Sequence, residues 1–505
     1  MTLLKNRMAI NLLASVFSFI INASISLFLT PFIVNHLGNE AYGFIPLAMN
    51  FVTYILIFTA ALNSMASRFI TIELTQGNNE LANKYFNSVL MTNFIICSII
   101  SLPSIVLISQ IDNILNVPLK LLSDVRITFI IVLINTFISL IFNVFSIATF
   151  AKNRLDLRSL KMIQGYIIRI VVILALFIFF EPRIYFVVLS SLFFTIYIAT
   201  TNYGFTRKLL PNFKIKFNDF RWHLVKKLLS SGIWNSINQL STVLTSSIDI
   251  LIANIFINAS ASGQFAIVKT LPLFIISFSA MIASVFVPKF VILYGEKKME
   301  ELKSTILNST TIVGILLALP IGFLIVMADT FYSLWVPIED AQYLHLLTLI
   351  VIAPLIFSSS NEILFNVYSV TNKLKVPSLI MLGIGFANTI LTLLLLQFTN
   401  LGLIAIGLTT AILAIMRDLL FTPIYSAKCL GFKKYIFYIP IIKGFIYTTV
   451  AIVVTSLFRY IISPSSWMSF IITGLGVCVI SISINTIIGF GPNRISLFIK
   501  SRNIS

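Results

Sequence analysis

The sequence is poor in charged residues and in cysteine. Only 10% of its 505 residues are charged, against about 25% in soluble domains, whereas 58% are apolar and the mean hydropathy is +1.00. This composition excludes a soluble globular protein. Cys97, Cys429 and Cys478 are scattered along the chain without metal-ligand or redox spacing. We therefore expect them to be packing residues and predict neither a metal site nor a cofactor.

Long polar loops are also lacking. The longest predicted outside loops cover about residues 110–124 and 329–343, and neither is long enough to fold into an external domain. Membrane glycosyltransferases and polymerases commonly place acid and base residues on large external loops, whereas here only Glu339 and Asp340 form an outside carboxylate pair. We predict that the protein is not an enzyme, and we keep a membrane glycosyltransferase or polymerase as an alternative.

Apolar runs of about 20 residues, the length that crosses a bilayer as a helix, follow one another along the chain. About fourteen runs are centred near residues 20, 54, 97, 138, 171, 194, 244, 276, 317, 357, 388, 413, 447 and 479. The first run is too long for a cleaved signal peptide. The sequence therefore predicts an all-α integral membrane protein with about fourteen transmembrane helices.

The net charge of +18 indicates orientation rather than nucleic-acid binding. Most of the 35 lysines and arginines lie in loops on the side of the N-terminus, and they include Lys5, Arg7, Arg494, Lys500 and Arg502 near the chain ends. The opposite loops hold only Lys120, Arg126, Arg183 and Arg459. The positive-inside rule then places both termini in the cytoplasm and the protein in the cytoplasmic membrane. Membrane lipids are expected partners, and the basic residues within 206–228 suit anionic headgroups.

Two sequence patterns recur about 220 residues apart. Residues 153–160 (NRLDLRSL) match residues 372–379 (NKLKVPSL), and a polar stripe at helical spacing occurs in both halves: Asn11, Ser15, Ser18, Asn22 and Ser26, then Ser231, Asn235, Asn238, Thr242 and Ser246. Each repeat holds six spans, so the halves should be parallel repeats related by an axis along the membrane normal. We predict a first lobe over 1–205, a linker over 206–228, a second lobe over 229–428, and two extra spans with a tail over 429–505.

Residues 31–43 (PFIVNHLGNEAYG) resemble the P-x-I-V-x-x-L-G-x-x-x-Y-G motif of Wzx-type polysaccharide exporters. The segment from Asp249 through Gly263 to Lys269 is similar to the second-half version of this motif. These exporters belong to the MOP superfamily, together with MATE exporters and lipid II flippases. The resemblance implies a flippase that moves an undecaprenyl-pyrophosphate-linked oligosaccharide to the outer leaflet for a capsule, O-antigen or teichoic-type polymer.

Ionisable residues at membrane depth are candidates for function because their insertion is costly. Asp249 and Lys269 lie at similar predicted depths on neighbouring spans, so they either form a structural ion pair or open to bind substrate or a coupling ion. Arg169 suits an anionic headgroup, or packs against backbone carbonyls, and Glu362 is a second candidate for ion coupling. Arg417 and Asp418 are adjacent, so we expect them on different helix faces, with Arg417 directed to cytoplasmic headgroups.

The polar stripes are the candidate lining of a substrate cavity. Asn22, Ser26, Asn235, Asn238 and Thr242 offer the hydroxyl and amide groups that a sugar requires, although such residues also join helices by hydrogen bonds. Lys269 and Arg169 are predicted to attract the pyrophosphate, with alternating access between the two lobes. The remaining alternative is a MATE-like antiporter for organic cations, which would need an acidic cavity.

Overall fold

The computed structural model describes the backbone of residues 2–152 and 154–491, and the side chains of these residues apart from 2–19, 155, 359 and 360. Some residues used above lie outside the described side chains: Lys5, Arg7, Asn11, Ser15, Ser18, Asn153, Arg494, Lys500 and Arg502. Throughout the described ranges every regular element is helical. The predicted all-α membrane class is confirmed.

The α-helices follow one another with short connections. The first nine are α1 (Thr2–Thr75), α2 (Asn79–Ser109), α3 (Ile111–Ile114), α4 (Leu122–Asn143), α5 (Ile147–Ala151), α6 (Leu155–Phe179), α7 (Tyr185–Leu209), α8 (Trp222–Thr242) and α9 (Ile248–Phe256). The next nine are α10 (Ala259–Gly295), α11 (Met299–Trp335), α12 (Ala341–Ile352), α13 (Leu355–Val370), α14 (Lys375–Phe398), α15 (Leu403–Met416), α16 (Thr422–Leu430), α17 (Tyr438–Ile462) and α18 (Trp467–Phe490).

Twelve helical segments of the described chain are long and apolar enough to cross a membrane, and the first runs for 56 residues from Ile20 to Thr75. A straight helix of that length would measure about 84 Å, far more than the roughly 30 Å of bilayer hydrocarbon. Gly38 interrupts it with non-helical backbone (φ 86°, ψ 164°). Thr30 Oγ1 donates a hydrogen bond to the Tyr42 hydroxyl at 3.2 Å, a contact that only a reversal of the chain allows. This segment therefore supplies two spans.

One further crossing is broken in the middle. The apolar helices α12 and α13 are each too short for a full span, and they are separated at Ala353 and Pro354. Proline lacks a backbone N–H and disfavours a helical residue before it, which accounts for the break. With this crossing and the two spans of α1, the structure agrees with the prediction of about fourteen helices.

The chain packs as two compact units. Unit 1 comprises residues 1–266 and 378–390, and unit 2 comprises residues 267–377 and 391–505. Because packing defines these units, whereas internal repetition defined the four predicted regions, the predicted boundaries at residues 205, 228 and 428 stay a prediction.

Within unit 1, the predicted linker is tied to the start of α2. Asn83 and Asn87 both donate to the Lys214 carbonyl oxygen, at 3.1 and 2.9 Å, and the Lys216 N–H donates to Asn87 Oδ1 at 3.0 Å. The Phe213 ring is buried in an apolar cluster against Phe86. Side-chain amides thus satisfy the linker's backbone groups and hold an otherwise irregular segment in place.

Within unit 2, α11 packs against α17 and α18, the two C-terminal spans. Gly322 permits the approach, because a Cβ atom there would lie 2.6 Å from Ala451 Cβ. At the end of the same helix pair, Arg459 Nη2 lies 2.6 Å from Asp329 Oδ2. The extra spans are therefore packed components of unit 2.

A π-helical turn over Val243–Ser247 interrupts the span formed by α8 and α9 in unit 1. A π-turn disturbs the regular ladder, and such turns are frequent at functional sites. Side chains bind the carbonyl oxygens of this turn: Asn388 Nδ2 donates to Leu244 at 3.2 Å, and Asn50 Nδ2 donates to Ser247 at 2.8 Å. Tertiary hydrogen bonds thus accompany the irregular turn.

Candidate functional site

A polar cavity of about 480 Å³ lies between α1, α4 and α8 of unit 1. Each helix contributes a pair of polar side chains four residues apart, a spacing that places both on one helix face, and α1 adds Ser64. We call this cavity the amide chamber; it is lined by Thr59 and Asn63, Ser139 and Asn143, and Asn235 and Gln239, together with Leu56, Ala60, Ser64 and Leu140.

Buried hydrogen bonds hold the wall of the amide chamber in position. Asn93, a fully buried residue of α2, exchanges amide hydrogen bonds with Asn63 at 3.3 and 3.1 Å. The Asn93 side chain also donates to the Leu140 carbonyl oxygen at 3.0 Å. Asn235 Nδ2 donates to Ser64 Oγ at 2.9 Å. These bonds join α2 to α1 and α4, and α8 to α1, around the cavity.

Small residues bring α1 and α8 into direct backbone contact beside the amide chamber. An ideal Cβ atom on Gly232 would lie only 2.2 Å from the Ala61 carbonyl oxygen. One turn later, Ser236 Oγ donates to the Ile57 carbonyl oxygen at 2.8 Å and accepts from the Ala61 N–H at 3.1 Å. Ile57 and Ala61 are the normal partners of an i→i−4 bond, so the hydroxyl is inserted into the helical ladder.

The two motif segments that resemble the exporter family meet within unit 1. A Cβ atom on Gly43 would lie 2.7 Å from the Gly263 backbone nitrogen, and one on Gly263 would lie 2.0 Å from the Asn39 carbonyl oxygen. Asn39 Nδ2 also donates to Ser260 Oγ at 3.1 Å. Glycine is therefore required at these two motif positions, because the backbones pack so closely that no side chain fits between the helices.

The chemistry of the amide chamber suits neutral polyhydroxyl groups. Each amide offers two N–H donors and a carbonyl acceptor, and each hydroxyl both donates and accepts. Sugar hydroxyls have the same dual capacity. Since the lining side chains are amides, hydroxyls and aliphatic groups, the cavity can bind sugars by many weak hydrogen bonds.

Of the predicted stripe residues whose side chains the structure describes, only one lines the amide chamber. Asn235 lines the amide chamber, whereas the residues that line it do not include Asn22, Ser26, Asn238 or Thr242. Thr242 Oγ1 donates to the Asn238 carbonyl oxygen at 3.0 Å, and Asn22 and Ser26 are half-buried on the first arm of α1. A role for these four residues in substrate binding stays a prediction.

The repeat pattern did not point to most of the chamber residues. Asn63, Ser139, Asn143 and Gln239 belong to no stripe shared by the two halves. Their signal in the sequence is a pair of polar residues four positions apart inside an apolar span. Such a pair becomes informative only when the packing shows that three of them face one cavity.

The charged candidates Asp249, Lys269 and Arg169 do not line the amide chamber. Asp249 begins α9 and is fully buried, and the Tyr54 hydroxyl lies within electrostatic range of it. Lys269 on α10 and Arg169 on α6 are half-buried. The Arg169 Nε atom is buried and makes no hydrogen bond to the residues that the structure describes. Binding roles for all three residues stay predictions, as does the pairing of Asp249 with Lys269.

From the sequence we expect Arg417 to reach cytoplasmic headgroups, but the structure pairs it with its neighbour Asp418. Arg417 Nε and Nη2 donate to Asp418 Oδ1 and Oδ2, both at 2.8 Å, and the Asp418 side chain is fully buried. A second π-helical turn, Arg417–Phe421, accompanies this pairing, and Asn361 Nδ2 donates to the Asp418 carbonyl oxygen at 2.7 Å. Glu362 lies within electrostatic range of both charges. Arg417 is thus paired inside unit 2.

The carboxylate pair of Glu339 and Asp340 contains a helix cap. Asp340 Oδ1 accepts hydrogen bonds from the backbone N–H groups of Gln342 at 2.9 Å and Tyr343 at 3.1 Å. This geometry is typical of an N-cap, which stabilises the first turn of α12. Local structure thus explains Asp340 without a catalytic role.

Comparison with known proteins places this architecture in a family. A family model described as polysaccharide biosynthesis protein matches residues 8–294, more than half of the chain. The chain belongs to the polysaccharide biosynthesis protein family. One relative, the uncharacterized membrane protein EpsK of Bacillus subtilis, is 32% identical to this chain over 479 residues, and the match covers 93% of each chain.

Solved structures show the same fold at low sequence identity. The lipid II flippase MurJ, in an inward closed conformation, superposes with a TM-score of 0.69 and 14% identity over 94% of this chain and 97% of its own. An inward-facing MATE multidrug transporter of the MOP superfamily gives a TM-score of 0.62 and 16% identity over 82% and 94%. The predicted MOP fold is confirmed. As predicted, this member of the polysaccharide biosynthesis protein family is a multi-pass membrane protein.

Proposed function

We propose that the protein moves an undecaprenyl-pyrophosphate-linked oligosaccharide from the inner to the outer leaflet of the cytoplasmic membrane by alternating access. Its product supplies the synthesis of a cell-surface polysaccharide, and both chain termini lie in the cytoplasm. Membership of the polysaccharide biosynthesis protein family supports a saccharide substrate, and the fold it shares with MurJ supports a lipid-linked one.

The observation that carries the proposal is the neutral amide chamber. Seven amide or hydroxyl side chains from three helices face one cavity of about 480 Å³. An antiporter of organic cations instead requires acidic side chains, because a buried cation needs a compensating charge. Sugar units require donors and acceptors at close spacing, which the chamber supplies.

The charged residues complete the proposed cycle. Lys269 and Arg169 attract the pyrophosphate, since cationic donors form the strongest hydrogen bonds to phosphate oxygens. Asp249 and Glu362 are the candidates for coupling transport to an ion gradient. In this proposal the chamber amides select among sugars.

The test measures transbilayer movement of a polyprenyl-pyrophosphate-linked oligosaccharide in proteoliposomes containing the purified full chain. Gln239→Leu removes a chamber amide with little change in shape, and Gln397→Leu makes the same change at an exposed position of α14. A net hydrogen bond contributes about 0.5–1.5 kcal/mol, so Gln239→Leu is expected to slow flipping about 2- to 13-fold. Gln397→Leu is expected to keep the wild-type rate.

Two outcomes would overturn the proposal. Efflux of cationic dyes by the wild type, without movement of the lipid-linked oligosaccharide, would assign the protein to drug export. Equal flipping by the wild type, Gln239→Leu and a Gln239→Leu/Asn143→Leu double variant would show that the amide chamber does not bind the moving substrate.

A further inference from the structure

An apolar pocket lies beside the amide chamber in unit 1. Its volume is about 570 Å³, within the range of about 300–1,000 Å³ that is usual for ligand sites. It is formed by α1, α2 and α4, and its lining includes Phe51, Ile55, Ile99, Pro103, Leu107 and Phe129. The amide chamber, by contrast, is rich in hydrogen-bonding groups.

The two cavities adjoin along the helices that they share. On α1, Ile55 lines the apolar pocket and the next residue, Leu56, lines the amide chamber. On α4, Thr136 lines the pocket and Ser139 lines the chamber, an axial distance of only about 4.5 Å at 1.5 Å per residue. One elongated ligand can therefore occupy both cavities.

The apolar pocket also has an open edge. Phe58 and Ile99 line it, and their side chains are 64% and 65% exposed. Both residues lie on membrane-spanning helices, where the surrounding medium is hydrocarbon rather than water. A hydrocarbon chain can therefore enter the pocket sideways from the bilayer.

We propose that the apolar pocket holds the isoprenoid chain of the lipid-linked oligosaccharide close to its pyrophosphate, while the amide chamber holds the sugars. This inference rests on the proposed function. A glycosylated isoprenoid fills both cavities at once, whereas an acyl phospholipid brings no sugar to the chamber amides.

The pocket contributes position rather than strong attraction. Lipid tails are as apolar as the side chains of the pocket, so moving an isoprenoid from the bilayer into it gains little from the hydrophobic effect. Shape then decides the occupant and its register. A bulky side chain in the pocket should therefore block the isoprenoid while leaving the chamber amides unchanged.

Photolabelling tests this placement on the full chain in nanodiscs. The probe is an isoprenyl-pyrophosphate disaccharide with a diazirine near the pyrophosphate, and the comparison probe is phosphatidylcholine with a diazirine in its acyl chain. Ser104→Trp fills the pocket, and Ile105→Trp places the same side chain on an exposed part of α2 outside it. We expect isoprenoid adducts within residues 51–58 and 96–108, reduced about tenfold by Ser104→Trp and unchanged by Ile105→Trp.

Flipping assays on the same proteins separate this inference from the proposed function. Wild-type flipping with isoprenoid adducts elsewhere, such as on α17 and α18, would overturn the pocket assignment alone. Equal labelling of residues 51–58 and 96–108 by phosphatidylcholine would also overturn it, because the pocket would then be ordinary lipid-facing surface. Absence of both flipping and isoprenoid labelling would overturn the proposed function together with the inference.

Discussion

The contact between Gly232 on α8 and Ala61 on α1 makes a sharp prediction about the amide chamber. In Gly232→Ala, the new Cβ atom would lie 2.2 Å from the Ala61 carbonyl oxygen and 2.8 Å from Ala61 Cα. These are backbone atoms, so no side chain can rotate away and the helices must separate. Overpacking of this kind costs about 1–3 kcal/mol, while alanine gains about 0.5–1 kcal/mol over glycine in a helix. We expect a net loss of roughly 1–2 kcal/mol in stability.

The same substitution at Gly204 is the matched control. Gly204 also lies inside a helix, α7, but no heavy atom lies within 4 Å of its ideal Cβ position. Gly204→Ala should therefore keep or slightly raise the stability through helix propensity alone. The two variants differ only in what the added methyl group contacts.

The assay compares the thermal unfolding midpoints of the purified variants in one detergent, followed by flipping rates in proteoliposomes. Gly232→Ala should lower the midpoint and also the rate, because Gly232 lies one turn from Asn235 and fixes a wall of the amide chamber. If Gly232→Ala and Gly204→Ala had equal midpoints and equal rates, the reasoning about close helix packing would be refuted.

Three further predictions concern charge and hydrogen bonding. Asp418→Asn leaves Arg417 without its carboxylate partner and should lower stability by about 3–5 kcal/mol, as measured by thermal unfolding; an unchanged midpoint would contradict the buried pair. Asn87→Leu removes the amide that binds the linker backbone at Lys214, so limited proteolysis should cut within residues 210–221 at least several-fold faster, and an unchanged cleavage rate would disprove that role. Lys269→Ala should abolish flipping at normal membrane abundance, whereas a wild-type rate would rule out its role in binding pyrophosphate.

The fold could be predicted because membrane crossing leaves a local signal. A run of about 20 apolar residues is readable without knowledge of tertiary contacts. The two spans of α1 were separable in the sequence although helix continues through much of their junction, because hydropathy falls around Asn35 and Asn39. Chain reversal at Gly38 confirms that separation. Composition thus identifies which segments span the membrane, but it does not identify which helices pack against one another.

The relation between Arg417 and Asp418 was not readable from the sequence. On a regular α-helix, adjacent residues differ by about 100° in direction, so the sequence did not predict that the Arg417 side chain contacts Asp418. The π-helical turn changes this geometry, and it is accompanied by hydrogen bonds from residues distant in the chain, including Asn361 and Tyr438. Local propensity contains no information about these tertiary partners.

Most of the amide chamber was missed for a related reason. A polar pair such as Ser139 and Asn143 on one span is equally compatible with helix–helix contact and with a cavity. Comparison of the two halves found Asn235 because its stripe is repeated, but Gln239 has no such counterpart. Only the packing of α1, α4 and α8 shows that three pairs face the same space.

Several charged residues of the structure form stabilising contacts, whereas neutral polar residues line the amide chamber. Asp418, Asp329 and Asp340 have partners that explain them structurally: Arg417, Arg459 and the first turn of α12. The amide chamber instead presents neutral groups, whose net hydrogen bonds contribute only about 0.5–1.5 kcal/mol each. A carrier must release what it binds, and a sugar held by several such bonds can leave as they break one after another. Weak neutral contacts therefore suit the proposed passage of a large glycan, and our proposal assigns its pyrophosphate to the stronger cationic contacts of Lys269 and Arg169.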